Sequence, residues 1–130
     1  MVVVDTSIWR CALSEESEES FRIRIQLETL LNHYLVAVSD TIRYDVLQLI
    51  QSEQRAELLA HLNYLPNLPV KSSTWNIAIQ IAWDLSDIGI TLLPGDAVGV
   101  ALALQNQIPL FTLNPAQREV ANVRKLKLLE

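Results

Sequence analysis

The chain has 130 residues, half of them hydrophobic and 19% charged, with a formal net charge of -5 and one cysteine. That balance supports one domain, residues 1–130, with a real core and excludes a disordered chain. The lone Cys11 excludes an internal disulfide framework and a cysteine-rich zinc site, and the acidic charge offers nucleic acid no general attraction. No apolar run reaches the ~18 residues of a membrane span, and residues 1–10 lack the basic start and apolar stretch of a signal peptide. A cytoplasmic protein with no membrane partner is therefore expected.

Taken in order, Val2–Val4 is an unbroken β-branched run, as expected for a strand covered on both faces. The acidic stretch "SEESEES", residues 14–20, reads as a solvated loop or first helical turn. A helix is expected from Phe21 to about Tyr34, with Phe21, Ile25 and Leu31 near one stripe. "LVAVS" reads as a second strand. Ser39 or Asp40 then caps a helix running to about Ile50, and another helix covers Ser52 to Tyr64. "LPNLPV" is a proline-punctuated connection with room for a short extended piece. Ser72 to Ile88 forms a long amphipathic helix, and Gly89 stands where a left-handed cap belongs. A helix from about Asp96 to Asn106 follows, then the strand "IPLFTLN" and a short last strand at "LKLL".

Strands alternating with helices argue for an α/β three-layer sandwich, its central sheet mainly parallel and flanked by helices. Ligands of such folds gather at the carboxyl ends of strands. Asp5 stands at one such end, and Thr112 and Asn114 stand at another. Asp96 opens an otherwise apolar helix, where the dipole favours a carboxylate. Asp45 lies inside a helix, beside the stripe of Ile42, Val46 and Leu49. Asp is a poor mid-helix residue and needs a reason to be there. Each of these residues also has a purely local explanation as a cap or a solvated side chain; their joint order carries more.

That order resembles the PIN domain family, and within it the small bacterial ribonuclease toxins of VapC type. The resemblance rests on Asp5-Thr6-Ser7 at a first strand, an acid in the helix after the second strand, and "PGDAVGVALALQNQIPLFTLN" near the end. The segment "TWNIAIQIAWDLSDIGITLLPGDAVGVALAL" fits as well, and nearly the entire chain is covered. The resemblance implies a parallel α/β sandwich, an acidic pocket for Mg²⁺ or Mn²⁺, and metal-dependent hydrolysis of RNA. It also implies a cognate antitoxin protein that blocks the pocket, and a homodimer. Carried over, Asp5 and Asp96 match the first and third acids. Asp45 falls where the family usually has Glu, and Asn114 where a fourth, less constant acid stands.

Hard divalent cations take oxygen ligands, and Mg²⁺ is held by one or two carboxylates with water and phosphate. On this reading Asp5 and Asp96 hold the ion, Asp45 holds it or orients a water on it, and Asn114 offers a carbonyl oxygen to water or phosphate. Thr6, Ser7 and Thr112 steady the acids from behind. Two departures follow from the residues themselves. Asp45 is one methylene shorter than Glu, and Asn114 lacks a charge, so a weakened module that keeps the fold and binds a partner or RNA is the alternative. A phosphoacceptor signalling domain ranks last, because "IPLFTLN" offers no lysine. Arg10, Arg22, Arg43, Arg118, Arg124, Lys125 and Lys127 are the cations that could face a phosphate backbone. Trp9, Trp75 and Trp83 could stack bases but are more readily core or interface. The exposed-prone Ile8, Trp9 and Tyr64 are compatible with a buried interface.

Overall fold

The computed structural model describes residues 1–14 and 16–130, so one acid of the expected acidic stretch, Glu15, lies outside the described residues. Strand β1 is Val2–Val4, β2 is Val36–Ala37 and β3 is Leu110–Phe111. They form a parallel sheet in the order β2-β1-β3. Val2 pairs with Val36 and Val3 with Ala37 on one side, and Val3 with Leu110 and Val4 with Phe111 on the other. Single parallel bridges widen the sheet at both edges, Val38 to Asn67 and Leu110 to Leu128. The expected extended piece in "LPNLPV" and the last strand at "LKLL" are these bridges. With helices α1 Thr6–Leu13, α2 Glu18–Asn32, α3 Asp40–Leu47, α4 Ser52–Asn63, α5 Ser72–Ser86, α6 Pro94–Asn106 and α7 Pro115–Glu119 around it, the molecule is an α/β sandwich.

All three residues of β1 are buried, which explains the unbroken valines. Around them the core gathers Ile8, Val36, Val46, Leu62, Ile81, Leu85, Leu102 and Leu110. Helix α6 is buried without interruption from Ala97 to Ala103 and packs on α5 through a face that includes the buried Ala78, Ile81 and Leu85. Burying one such aliphatic side chain contributes about 1.5–3 kcal/mol. Among the described residues no helix is long and apolar enough to cross a membrane.

One element is unannounced and two expectations need correction. Residues 6–13 form a helix that the sequence pattern did not announce, because Thr, Ser, Ile and Trp are indifferent helix formers and the segment is only eight residues long. Its start is set by Asp5, whose side chain accepts from the Ser7 backbone N–H at 2.9 Å, a standard use of Asp at an N-cap. Helix α2 begins earlier than expected, with Ser17 and Ser20 closing a reciprocal capping box, and it presents the other face. Ser20, Ile23 and Leu27 are buried, whereas Phe21 is 60% exposed and Ile25 47%. Two apolar stripes compete on that helix, and packing against α1 selected the one at 20, 23 and 27. Finally, Ile8 and Trp9 are buried rather than exposed, while Tyr64 stays outside.

Smaller differences have local causes. Helix α3 stops at Leu47 because Gln48 and Leu49 turn back in tight bonds to the carbonyls of Asp45 and Val46. Helix α6 starts at Pro94, which needs no N–H in the first turn, so Asp96 stands two residues in. Gly89 has φ +82°, and the Ile90 N–H returns to the Leu85 carbonyl at 2.9 Å. This is the glycine-capped helix end expected there.

Parallel pairing has one consequence for function. Each strand leads within a few residues into a helix capped by a polar side chain: Asp5 for α1, Ser39 for α3 and Asn114 for α7. Because the strands run the same way, those helix N-termini collect at one end of the sheet. Unpaired N–H groups and the helix dipoles make that end favourable for negative charge.

Candidate active site

At this end a cavity of about 550 Å³ is lined by Asp5, Thr6, Ser7, Arg10, Asp45, Gln48, Leu49, Leu93, Gly95, Asp96 and Asn114. Thus Asp5, Asp45, Asp96 and Asn114 meet at one place, with Thr6 and Ser7 beside them. Asp5 comes from the β1–α1 junction, Asp45 from α3, Asp96 from the first turn of α6, and Asn114 from the cap of α7.

Asp5 is the inner acid, 4% exposed. Its Oδ2 accepts from the Ser7 N–H at 2.9 Å, and its Oδ1 accepts from the Gln117 side-chain amide at 3.0 Å. The Thr112 hydroxyl lies 3.3 Å from Oδ2. Asp96 accepts at Oδ2 from the Asn114 side-chain amide at 3.0 Å. Burial pushes the Asp96 carboxyl up, the charge of Asp5 adds to this, the Asn114 bond opposes it, Asp45 adds a little and Arg10 opposes. Asp45 is pushed up by burial and then by Asp5, against Arg10 and a hydrogen bond with Thr6. The mid-helix Asp45 therefore has its reason: it faces the cavity and not open solvent.

Asn114 does something other than expected. Its Oδ1 accepts from the backbone N–H groups of Ala116 at 2.9 Å and Gln117 at 3.4 Å, which only an oxygen can do. The amide nitrogen is therefore the atom that faces Asp96. Asn114 caps α7 and steadies Asp96, and its carbonyl oxygen is not offered to water or phosphate. Ser7 and Thr112 tie the first turn of α1 to the end of β3 from behind the acids, with their hydroxyl oxygens 3.2 Å apart and the Leu113 N–H donating to Ser7 at 3.0 Å.

The donor set consists of oxygen atoms carrying repelling charges, which suits a hard divalent cation. Among the described residues no three His, Cys, Asp or Glu side chains are arranged to hold one metal ion together. Direct ligation by all three carboxylates is thus not formed here. The residues fit an ion taken by one or two carboxylates, with water completing its shell.

Two residues at this site escaped the sequence reading in different ways. Arg10 is one of the seven candidate cations, yet among the described residues it is the sole cation lining the cavity. Its signal was the helical spacing of Thr6 and Arg10, legible only once α1 is known. Gln117 was not singled out at all, and no local pattern marks it. Of the other cations, Arg43 is paired with Asp40, Arg118 with Glu130 and Arg124 with Asp84. Trp75 and Trp83 are exposed on α5, on the same face as Ile79.

The fold and the acid-lined cavity at its strand ends define a class of proteins, and the sequence comparison agrees. Residues 2–123 match the PIN domain, and the chain belongs to that family. No curated protein matches the sequence directly. Among solved structures, VapBC2 from Rickettsia felis, bound to a DNA fragment from its promoter, is 19% identical with a TM-score of 0.71, covering 99% of this chain and 98% of that one. FitAcB from Neisseria gonorrhoeae is 18% identical, TM-score 0.70, covering 100% and 97%. The Mycobacterium tuberculosis toxin VapC20, described as cleaving the sarcin-ricin loop, is 14% identical, TM-score 0.67, covering 91% and 93%. These likenesses establish the shared fold.

Proposed function

We propose that the chain is a Mg²⁺- or Mn²⁺-dependent endoribonuclease and the toxin half of a toxin–antitoxin pair. One observation carries this reading: Asp5, Asp45 and Asp96, from three separate elements, line one cavity, and burial and mutual charge push two of their carboxyls up. Such a concentration of like charge costs stability unless a ligand offsets it. Membership of the PIN domain family supports the reading, as does the RNA-cleaving activity of the similarly folded VapC20.

Asp5 and Asp96 would hold the cation, which supplies charge neutralisation and an acidified water at the phosphodiester. Asp45 stands on the α3 wall with a carboxyl pushed up by burial, so it is the group able to take a proton at a carboxylate oxygen during attack. Asn114 keeps Asp96 in place by the hydrogen bond that its side-chain amide N–H donates to Oδ2. Arg10 supplies the positive charge that a phosphate needs at the rim of an otherwise acidic cavity.

A cognate antitoxin would block the same cavity, and the similar fold of VapBC-5 from Mycobacterium tuberculosis, described as a member of the VapBC family of toxin-antitoxin systems, supports such a partner. The exposed Trp75, Ile79 and Trp83 on α5 support a homodimer, since an apolar face of that kind favours association.

The test is direct. Purified protein with mixed RNA yields defined cuts in Mg²⁺ or Mn²⁺ and none in EDTA. A weakened module that only binds RNA or a partner is the second reading, favoured by the neutral Asn114; it predicts no cuts, with binding that persists in Asp5→Asn. Arg10→Ala is expected to raise KM for RNA by about tenfold, an amount typical of losing a charged hydrogen bond, and to flatten the salt dependence of binding. A KM that does not move removes Arg10 from the phosphate contact.

A further inference from the structure

Behind the acids lies a residue that the proposed chemistry does not use. Gln117 is fully buried, yet each polar atom of its side chain is committed. The amide nitrogen donates to Asp5 Oδ1 at 3.0 Å and to the Asp96 backbone carbonyl at 3.0 Å. The amide oxygen accepts from the Thr112 hydroxyl at 2.5 Å. The first two bonds leave one nitrogen along its two N–H directions, so they fix Asp5 and the first turn of α6 at one separation. Sequence distances of 112 and 21 residues are spanned by a single rigid amide plane.

Hydrogen counting sharpens the point. Thr112 has one hydroxyl hydrogen and three acceptors near it, Gln117 Oε1 at 2.5 Å, Ser7 Oγ at 3.2 Å and Asp5 Oδ2 at 3.3 Å. The Asn114 N–H already donates to Thr112 at 3.0 Å. The shortest contact takes the hydrogen, so Asp5 Oδ2 holds only the Ser7 N–H and keeps a lone pair uncommitted. Oδ1 is turned inward. A Cβ on Gly99 of α6 would stand 3.8 Å from it and 3.4 Å from the Gln117 nitrogen, so α6 packs directly against this pair.

We propose that Gln117 is the positioning residue of the acidic site: its amide locks Asp5 Oδ1 and the N-terminal turn of α6 together, so that Asp5 offers Oδ2 alone to a divalent cation. This rests on the metal-dependent reading of the cavity. A neutral amide is suited to the task because it donates to Asp5 without adding charge. A carboxylate in its place would set oxygen against oxygen at Asp5 Oδ1 and at the Asp96 carbonyl.

The experiment compares the unaltered chain with Gln117→Met and Gln117→Glu. Free Mn²⁺ is titrated by electron paramagnetic resonance, and melting is followed in EDTA and in Mn²⁺. Gln117→Met, if folded, is expected to bind Mn²⁺ about tenfold more weakly, the usual loss when the support of a metal-binding side chain is removed. Gln117→Glu is expected to melt below the unaltered chain in EDTA and to gain more from Mn²⁺ than it does. A purely structural Gln117 would lower melting and leave Mn²⁺ affinity unmoved. Unchanged Mn²⁺ affinity in folded Gln117→Met overturns the proposal. So does a Gln117→Glu protein that melts no higher in Mn²⁺ than in EDTA, whether or not Gln117→Met folds. If the unaltered chain binds no Mn²⁺, the metal-dependent reading itself falls and this proposal with it. Binding by that chain together with indifferent variants removes only the role of Gln117.

Discussion

Asp5→Asn lowers Mn²⁺-dependent RNA cleavage by about 10²- to 10⁴-fold, the rate equivalent of losing several kcal/mol of metal-borne charge stabilisation. Asp5 is the most buried of the three acids, and its charge raises the carboxyls of both others. Removing that charge therefore relaxes Asp45 and Asp96 toward their ordinary range as it weakens the cation site. Asn still caps α1 well, so the helix starts as before. The cost in stability is local. With its oxygen on the Ser7 N–H, the new amide nitrogen faces the Gln117 nitrogen, and two donors meet where one bond had been. A lost buried hydrogen bond of this kind costs about 1 kcal/mol. Single-turnover cleavage measured beside a thermal melt separates the two effects. Cleavage at the unaltered rate in a folded Asp5→Asn protein ends the nuclease reading.

The second large effect concerns stability against pH. Asp45 and Asp96 both have carboxyls raised above the ordinary value of 3.8, chiefly by burial. A raised folded-state value means that the folded protein holds its proton longer than the unfolded chain does. The stability contributed by the neutral carboxyls is fully present below 3.8. It is lost as pH rises through the folded-state values of the two acids. In EDTA the protein is therefore expected to lose stability across that window. Asp96→Asn removes one of the two groups and keeps an oxygen for the Asn114 amide. It should melt a few degrees higher than the unaltered chain at neutral pH in EDTA, lose less on going from acid to neutral pH, and gain nothing from Mn²⁺. A variant that melts lower at neutral pH and keeps the full Mn²⁺ gain shows that charge repulsion at Asp96 is not what the cavity stores. The trade of stability for a charged site is common where function demands it.

Both predictions involve residues that the sequence exposed early. Asp5 and Asp96 are legible as cavity residues because they stand at element ends, where a strand run stops and an apolar helix begins. Asp45 was found because it contradicts its surroundings. Asn114 was found in the right place with the wrong atom facing the site, since which end of an amide points inward depends on the N–H groups of the next helix. The exposed stripe of α2 was misjudged because amphipathic spacing alone ranks two faces of Phe21, Ile23, Ile25 and Leu27 nearly equally.

The alternation of strand and helix, the fully buried first strand, the glycine-ended α5 and the acids at the element ends were determined by the sequence alone. Local rules govern all of them: side-chain period, capping chemistry and the left-handed freedom of glycine. Only the tertiary structure decided that Arg10 shares the cavity with the acids, that α2 turns its 20–23–27 face inward, and that Gln117 grips Asp5. These depend on contacts between distant segments, 112 residues apart in the case of Gln117 and Asp5. Such contacts are set by how helices pack on a sheet, and no short window of sequence contains both partners.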